Sequence, residues 1–161
     1  MKCKIFQINI KPNTINERGI PKVEVDNVFV SQNGVHGDFN NFRANKKKND
    51  INMAVLLLDK KVIDDLNDEG WPVSPGDLGE NITTAGLNQN ELYPGNKIKI
   101  GNAIIEISFI CEPCSTLSIL PYIGSEKIKI FIKTLVQRRG WYAKVLVPGQ
   151  IRKNDLISII D

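Results

Sequence analysis

The sequence predicts a mainly β domain, a closed or partly open antiparallel β-barrel with two or three peripheral α-helices. Three observations lead there. Apolar residues recur in short runs of strand length, glycine, asparagine and proline punctuate those runs, and the βαβα alternation of a doubly wound sheet is missing. At 161 residues the chain is long enough to bury a core as one domain spanning 1–161, and no linker rich in Pro, Gly or Ser divides it.

The elements follow in order. Residues 3–10 alternate Cys3, Ile5, Ile8 and Ile10 with polar positions, broken only by the adjacent Ile5-Phe6. Val23, Val25, Val28 and Val30 form a second β run whose register changes at Asp26-Asn27, the mark of a bulge or turn. The polar stretch 33–50 reads as a long loop, a length that in a compact domain usually has a function. Residues 53–58 are continuously apolar, as expected for a strand buried on both faces. Val62, Ile63 and Leu66 then fall at helical spacing over 60–67, with Gly70 and Pro72 as the stop.

The second half opens with strands 97–100 and 104–109, joined at Gly101-Asn102 as a hairpin. Residues 115–120 read as a helical turn ended by Pro121. Ile128, Phe131, Ile132, Leu135 and Val136 give 127–137 an apolar helical face. Strands over 141–147 and 156–160, separated by Pro148-Gly149, close the chain.

Composition narrows the function classes. The net charge of +3, with both signs interspersed, does not argue for nucleic acid. The run Lys46-Lys47-Lys48 reads as a solvated loop rather than a phosphate patch. No apolar stretch approaches the roughly 18 residues of a membrane span, and the first residues lack the apolar core of a signal peptide. Three cysteines cannot all pair within one chain, so a reducing cytoplasm is the expected compartment and the sulfurs are expected to be thiols or ligands.

Two of those cysteines frame Cys111-Glu112-Pro113-Cys114, just after the apolar run 103–110. The spacing admits several chemistries. A closed zinc site needs four ligands, and Cys3 and His36 are the only other soft donors, both isolated. A thioredoxin-like pair wants a helix in a βαβ setting. Both thiols could equally be small core hydrophobes, or one could be functional in another way. A second motif, Pro75-Gly76-Asp77-Leu78-Gly79-Glu80-Asn81, shapes a tight loop entering a short strand over 81–84. Glu80 and Asn81 there serve to fix a polar ligand or the loop itself.

That loop, followed by Leu92-Tyr93-Pro94-Gly95-Asn96-Lys97-Ile98-Lys99-Ile100-Gly101 and then Glu112-Pro113-Cys114, resembles the MOSC domain, the family named for the C-terminal domain of molybdenum-cofactor sulfurase. Gly34-Val35-His36-Gly37-Asp38 is similar to a second family loop, and 140–146 with 149–155 to its closing strands. The resemblance implies a β-barrel whose characteristic cysteine, here Cys114, faces a cleft and either ligates molybdenum or carries sulfur as a persulfide. It further implies the molybdenum cofactor (molybdopterin) as ligand, whose phosphate needs an anion site. Arg138 and Arg139 are the first candidates for it and Arg43 the second, because the forked donors of a guanidinium suit phosphate. Asp38, Glu80, Asn81 and Thr116 are expected as polar contacts. A helix beginning at Cys114 would favour its thiolate.

Met53 stands where many members of the family carry an arginine, so the anion contacts are expected to differ here. The segment carries neither a separate N-terminal barrel nor a C-terminal electron-transfer extension. A role as a molybdenum-dependent oxidoreductase, such as a reductase of N-hydroxylated compounds, would therefore take electrons from a partner protein. A cofactor- or sulfur-donor protein is the other expected partner, and a homo-oligomer is compatible. The competing expectation is a non-catalytic binding or partner module in which the CxxC is structural.

Overall fold

The computed structural model describes residues 2–160; positions 1 and 161, the ends of the single domain expected from sequence, lie outside them. Strand β1 (Lys4–Ile10) buries Ile5 and Ile8 completely. The adjacent Ile5-Phe6 that breaks its alternation coincides with a register shift between Ile5 and Gln7. The second β run divides into β2 (Val23–Val25), which pairs with β1, and β3 (Asn27–Ser31), which lies in a separate sheet. The break at Asp26 is thus a corner between two sheets.

The stretch expected to be a loop holds β4 (Gly34–Val35), paired with β3, and the short helix α1 (Asn41–Lys46). The reason the helix escapes a sequence reading is physical. Its one buried residue is Arg43, so it has no apolar stripe, and it is fixed instead by the Asn40 side chain, which accepts from the Arg43 N–H at 2.9 Å.

Every residue of β5 (Val55–Asp59) is buried, as the apolar run predicts. Asp59 then caps α2 (Lys60–Asp68) by accepting from the Lys61 N–H, and Ile63 and Leu66 point inward. The chain returns through the Pro75–Asn81 loop to β6 (Ile82–Ala85), which lies parallel to β5. The hairpin β7 (Lys97–Ile100) and β8 (Ala103–Ile110) turns at Gly101-Asn102 as expected. A 3-10 turn (Ser115–Ile119) precedes Pro121, and α3 (Gly124–Leu135) buries Phe131 and Leu135. Strands β9 (Trp141–Val147), β10 (Gly149–Arg152) and β11 (Ile157–Ile159) complete the chain. The four-residue β10, paired with β3, falls within the 149–155 segment that the family resemblance marked as a closing strand, although the residue pattern itself offers only the turn at Pro148-Gly149.

Among the described residues the fold is mainly β with three α-helices; one feature corrects the antiparallel expectation, and a second decides against its closed form. The large sheet, in order β11-β7-β8-β9-β5-β6-β1-β2, is mixed because the α2 crossover makes β5 and β6 parallel. It is also not closed. Among the described residues its flanks meet at an isolated bridge between Lys4 and Leu156, with backbone bonds such as Ile157 N–H to Cys3 O beside it.

One core fills the space enclosed by the sheets, with Ile5, Val55, Ile98, Ile105 and Ala143. A second lies beneath α2 and α3 and takes in Leu78, Leu117 and Phe131. At the seam between them Gly140, with φ of 95°, starts β9, and a Cβ there would stand 2.0 Å from the Leu57 carbonyl oxygen. Both the backbone region and the space require glycine. Gly140→Ala is expected to lose about 3 kcal/mol or more of stability in urea denaturation; a loss within about 0.5 kcal/mol would contradict this packing.

Candidate functional site

The last residues of β8 deliver both clustered cysteines to one cavity. Phe109 pairs with Tyr142 across a register shift, their rings 5.4 Å apart, and the Cys111 N–H ends the ladder on the Gly140 carbonyl at 2.9 Å. Cys111 is 2% exposed and packs with Met53, Leu56 and Tyr142. Burial pushes its thiol pKa up, so it stays protonated. After Pro113 the chain presents Cys114, half-buried, at the N-cap position of the 3-10 turn.

Cys114 meets Arg139. The guanidinium donates from Nη1 to the Cys114 sulfur at 3.3 Å and to the Glu112 carbonyl at 3.1 Å, and from Nε to the Leu78 carbonyl at 3.1 Å. Arg139 is only 8% exposed, and among the described residues it forms no ion pair with a carboxylate. Burial opposes the Cys114 thiolate, but the charge and hydrogen bond of Arg139, joined by contacts from Thr116, outweigh it. The thiol is held below its ordinary pKa, the condition for a nucleophilic or metal-binding sulfur. The expected help from a helix is minor, because the turn is a five-residue 3-10 segment.

Both cysteines open on a cavity of about 610 Å³, within the size range of small-molecule and cofactor sites. Its floor is apolar and aromatic, with Met53, Leu56, Phe109 and Tyr142. Its charge is one-sided: Arg18, Lys22, Lys46, Lys47 and Arg139 line it, against Glu112 as the acid. Such a surface favours an anionic ligand.

The Pro75–Asn81 loop forms the wall behind Arg139 and holds its shape through buried polar bonds. Glu80 is fully buried; its Oε1 accepts from the Gly76 N–H at 2.6 Å and the Thr83 hydroxyl at 2.9 Å, while Oε2 has no partner. Desolvation lifts its pKa to about 7 despite those bonds. Gly76 at φ of 94° lets the loop dock, for a Cβ would meet the Lys22 carbonyl oxygen at 2.4 Å. Asn81 accepts from the Leu56 N–H at 3.1 Å and donates to Asp38 at 2.9 Å. Asp38 also accepts from the Lys11 N–H and pairs with Lys22, both side chains buried.

Comparison with known proteins turns this geometry into a family. A family model for the MOSC domain matches residues 31–158. The chain belongs to the MOSC domain family. Protein YiiM of Escherichia coli (strain K12) is 28% identical over 86 residues, covering 52% of this chain and 36% of that protein, so the matched part is well under half of the relative's length. Among solved structures, YiiM from Geobacillus stearothermophilus superposes with a TM-score of 0.74 at 24% identity, covering 99% of this chain and 75% of that one. The YUAD protein from Bacillus subtilis gives 0.81 at 18% identity, covering 98% and 94%. These structures share the fold, and MOSC domains are associated with the molybdenum cofactor.

Of the residues that the MOSC resemblance singled out, three share the cavity: Cys114, Thr116 and Arg139. The others lie elsewhere. Arg138 points the opposite way from its neighbour and forks onto Glu69, with contacts of 2.7 and 3.0 Å, while also donating to the Thr134 carbonyl at the end of α3. Arg43 is buried and donates to the carbonyls of Asn33, Asn49 and Asp50, stapling the segment around α1. Asp38, Glu80 and Asn81 are bonded to protein groups behind the wall. Trp141 packs against the sheet core and donates to the Gln89 carbonyl, and His36 is exposed outside the cavity. Conversely, the lysine run read as a solvated loop supplies Lys46 and Lys47 to the cavity wall.

Two outcomes follow for the MOSC site. Arg139→Gln is expected to slow iodoacetamide alkylation of Cys114 about tenfold near neutral pH and to shift its pH–rate profile upward; an unchanged profile would remove Arg139 as the thiolate's partner. For Glu80, the folded chain keeps a proton between the ordinary carboxyl range and about 7 that the unfolded chain releases. The associated stability is therefore present at low pH and lost as pH rises toward 7. Wild type is expected to be roughly 3 kcal/mol less stable to urea at about pH 8 than at about pH 5, a difference that Glu80→Gln abolishes.

Proposed function

We propose that this chain binds the molybdenum cofactor with Cys114 as a protein ligand to the metal. The observation that carries the reading is a half-exposed sulfur, held toward its thiolate form by a buried guanidinium, on the wall of an electropositive cavity. The residues fit the group. Among the described residues no cluster of three or more His, Cys, Asp or Glu could hold a metal ion, so a metal at Cys114 must arrive with most of its ligands already attached. A single soft thiolate suits such a centre. When bound, the cofactor supplies redox chemistry at its metal. The chain's own contribution is to present the sulfur, to balance its charge with Arg139, and to keep an apolar floor of Met53, Leu56 and protonated Cys111 beneath it.

Carriage of sulfur as a persulfide on Cys114 is the second reading, favoured by the same depressed thiol pKa. A structural CxxC is disfavoured because the two sulfurs differ, Cys111 buried with its thiol pKa pushed up and Cys114 half-buried against the Arg139 guanidinium. Reduction of N-hydroxylated compounds would require electrons from a partner protein, and the three free thiols suit a reducing compartment.

Protein produced beside an intact cofactor pathway is expected to hold about one molybdenum per chain, lost in Cys114→Ala and kept in Cys3→Ala. Equal metal in all three proteins would defeat the ligand assignment. An added sulfur on Cys114 by intact mass, with no retained metal, would replace ligation by carriage.

A further inference from the structure

The outer part of the cavity is a different surface from the region around Cys114. Arg18, Lys46 and Lys47 line it, all exposed, and among the described residues none of the three is in an ion pair with a carboxylate. Lys22, by contrast, is committed to Asp38, and Arg138 to Glu69. The charges of Arg18, Lys46 and Lys47 are therefore uncompensated by protein groups and converge on one concavity.

Lys46 and Lys47 are also presented by a stapled helix end. Arg43 binds three carbonyls on either side of α1, and Asn40 caps its start. Lys47 Nζ lies 5.5 Å from the centre of the exposed Phe42 ring, which lines the same cavity. A staple that tight on a polar six-residue helix is not explained by core packing, since α1 buries no apolar side chain.

We propose that Arg18, Lys46 and Lys47 form a phosphate subsite that takes the phosphate-bearing end of the ligand whose metal-bearing end lies at Cys114. The inference rests on the cofactor reading for its ligand, but it makes its own claim about which residues hold the phosphate. Arg138 and Arg43 do not serve, because their donors are already used by Glu69 and by backbone carbonyls. Arg139 is committed to the Cys114 sulfur and two backbone carbonyls instead. Ammonium groups on flexible stems suit a terminal phosphate, which exposes oxygens in several directions.

The test uses the full chain and inorganic pyrophosphate as probe, read by calorimetry at low and physiological salt. Wild type is expected to bind with an affinity that falls as salt rises. Lys46→Glu together with Lys47→Glu should weaken binding at least about tenfold at unchanged melting temperature. Cys114→Ala should leave pyrophosphate binding intact, which separates this subsite from the metal-ligand claim. The exposed lysines of α3, Lys127→Glu with Lys129→Glu, are the control for general charge. Equal loss in that control, or wild-type affinity in the Lys46/Lys47 variant, would overturn the subsite even if molybdenum still depends on Cys114.

Discussion

A guanidinium with almost no solvent and, among the described residues, no carboxylate partner is the constraint around which this site is arranged. Burying a charge is costly unless hydrogen bonds and an opposite charge compensate it. Arg139 has two backbone carbonyls and one sulfur. The carbonyls satisfy donors but bring no net charge, so the Cys114 sulfur, 3.3 Å away, is the partner able to carry an opposite charge. The dependence runs both ways: the arginine favours the anionic form of the sulfur, and that form in turn makes the buried arginine more tolerable. The glycine after Arg139, the loop that offers the Leu78 carbonyl and the strand end that offers the Glu112 carbonyl all serve to hold that one side chain in place.

Much of the fold was legible because it is written in periodicity. The apolar run of β5, the Gly-Asn hairpin and the amphipathic face of α3 each follow from local pattern and each occur. The mixed sheet was not legible. A parallel pair is a statement about where a crossover lands, and neither β5 nor β6 carries a local sign of its neighbour. The helix α1 was hidden for another reason, since its fixing contacts are polar and its buried residue is an arginine.

The site divides in the same way. Cys114 and Arg139 stood out through motif and residue type, and the cavity brings them together. Arg138 and Arg139, named together from sequence, part company just after α3 because one side chain bonds Glu69 and the other the sulfur. Glu80, Asn81 and Asp38 sit in recognisable motifs, yet their side-chain donors and acceptors are mostly used in holding backbone. Lys46 and Lys47 carry a signal that composition cannot distinguish from a solvated surface; only the folding of α1 over the cavity gives it direction.

The anchoring of α1 has a consequence for how such a protein can diverge. Both apolar cores are complete without that helix, and a single stapled arginine keeps it in place. Residues around the entrance can therefore drift in size and sign with little penalty to folding, while the buried guanidinium, tied to two backbone carbonyls and the sulfur, cannot. A lineage of these chains is free to change what its cavity admits long before it can change the sulfur on the cavity wall.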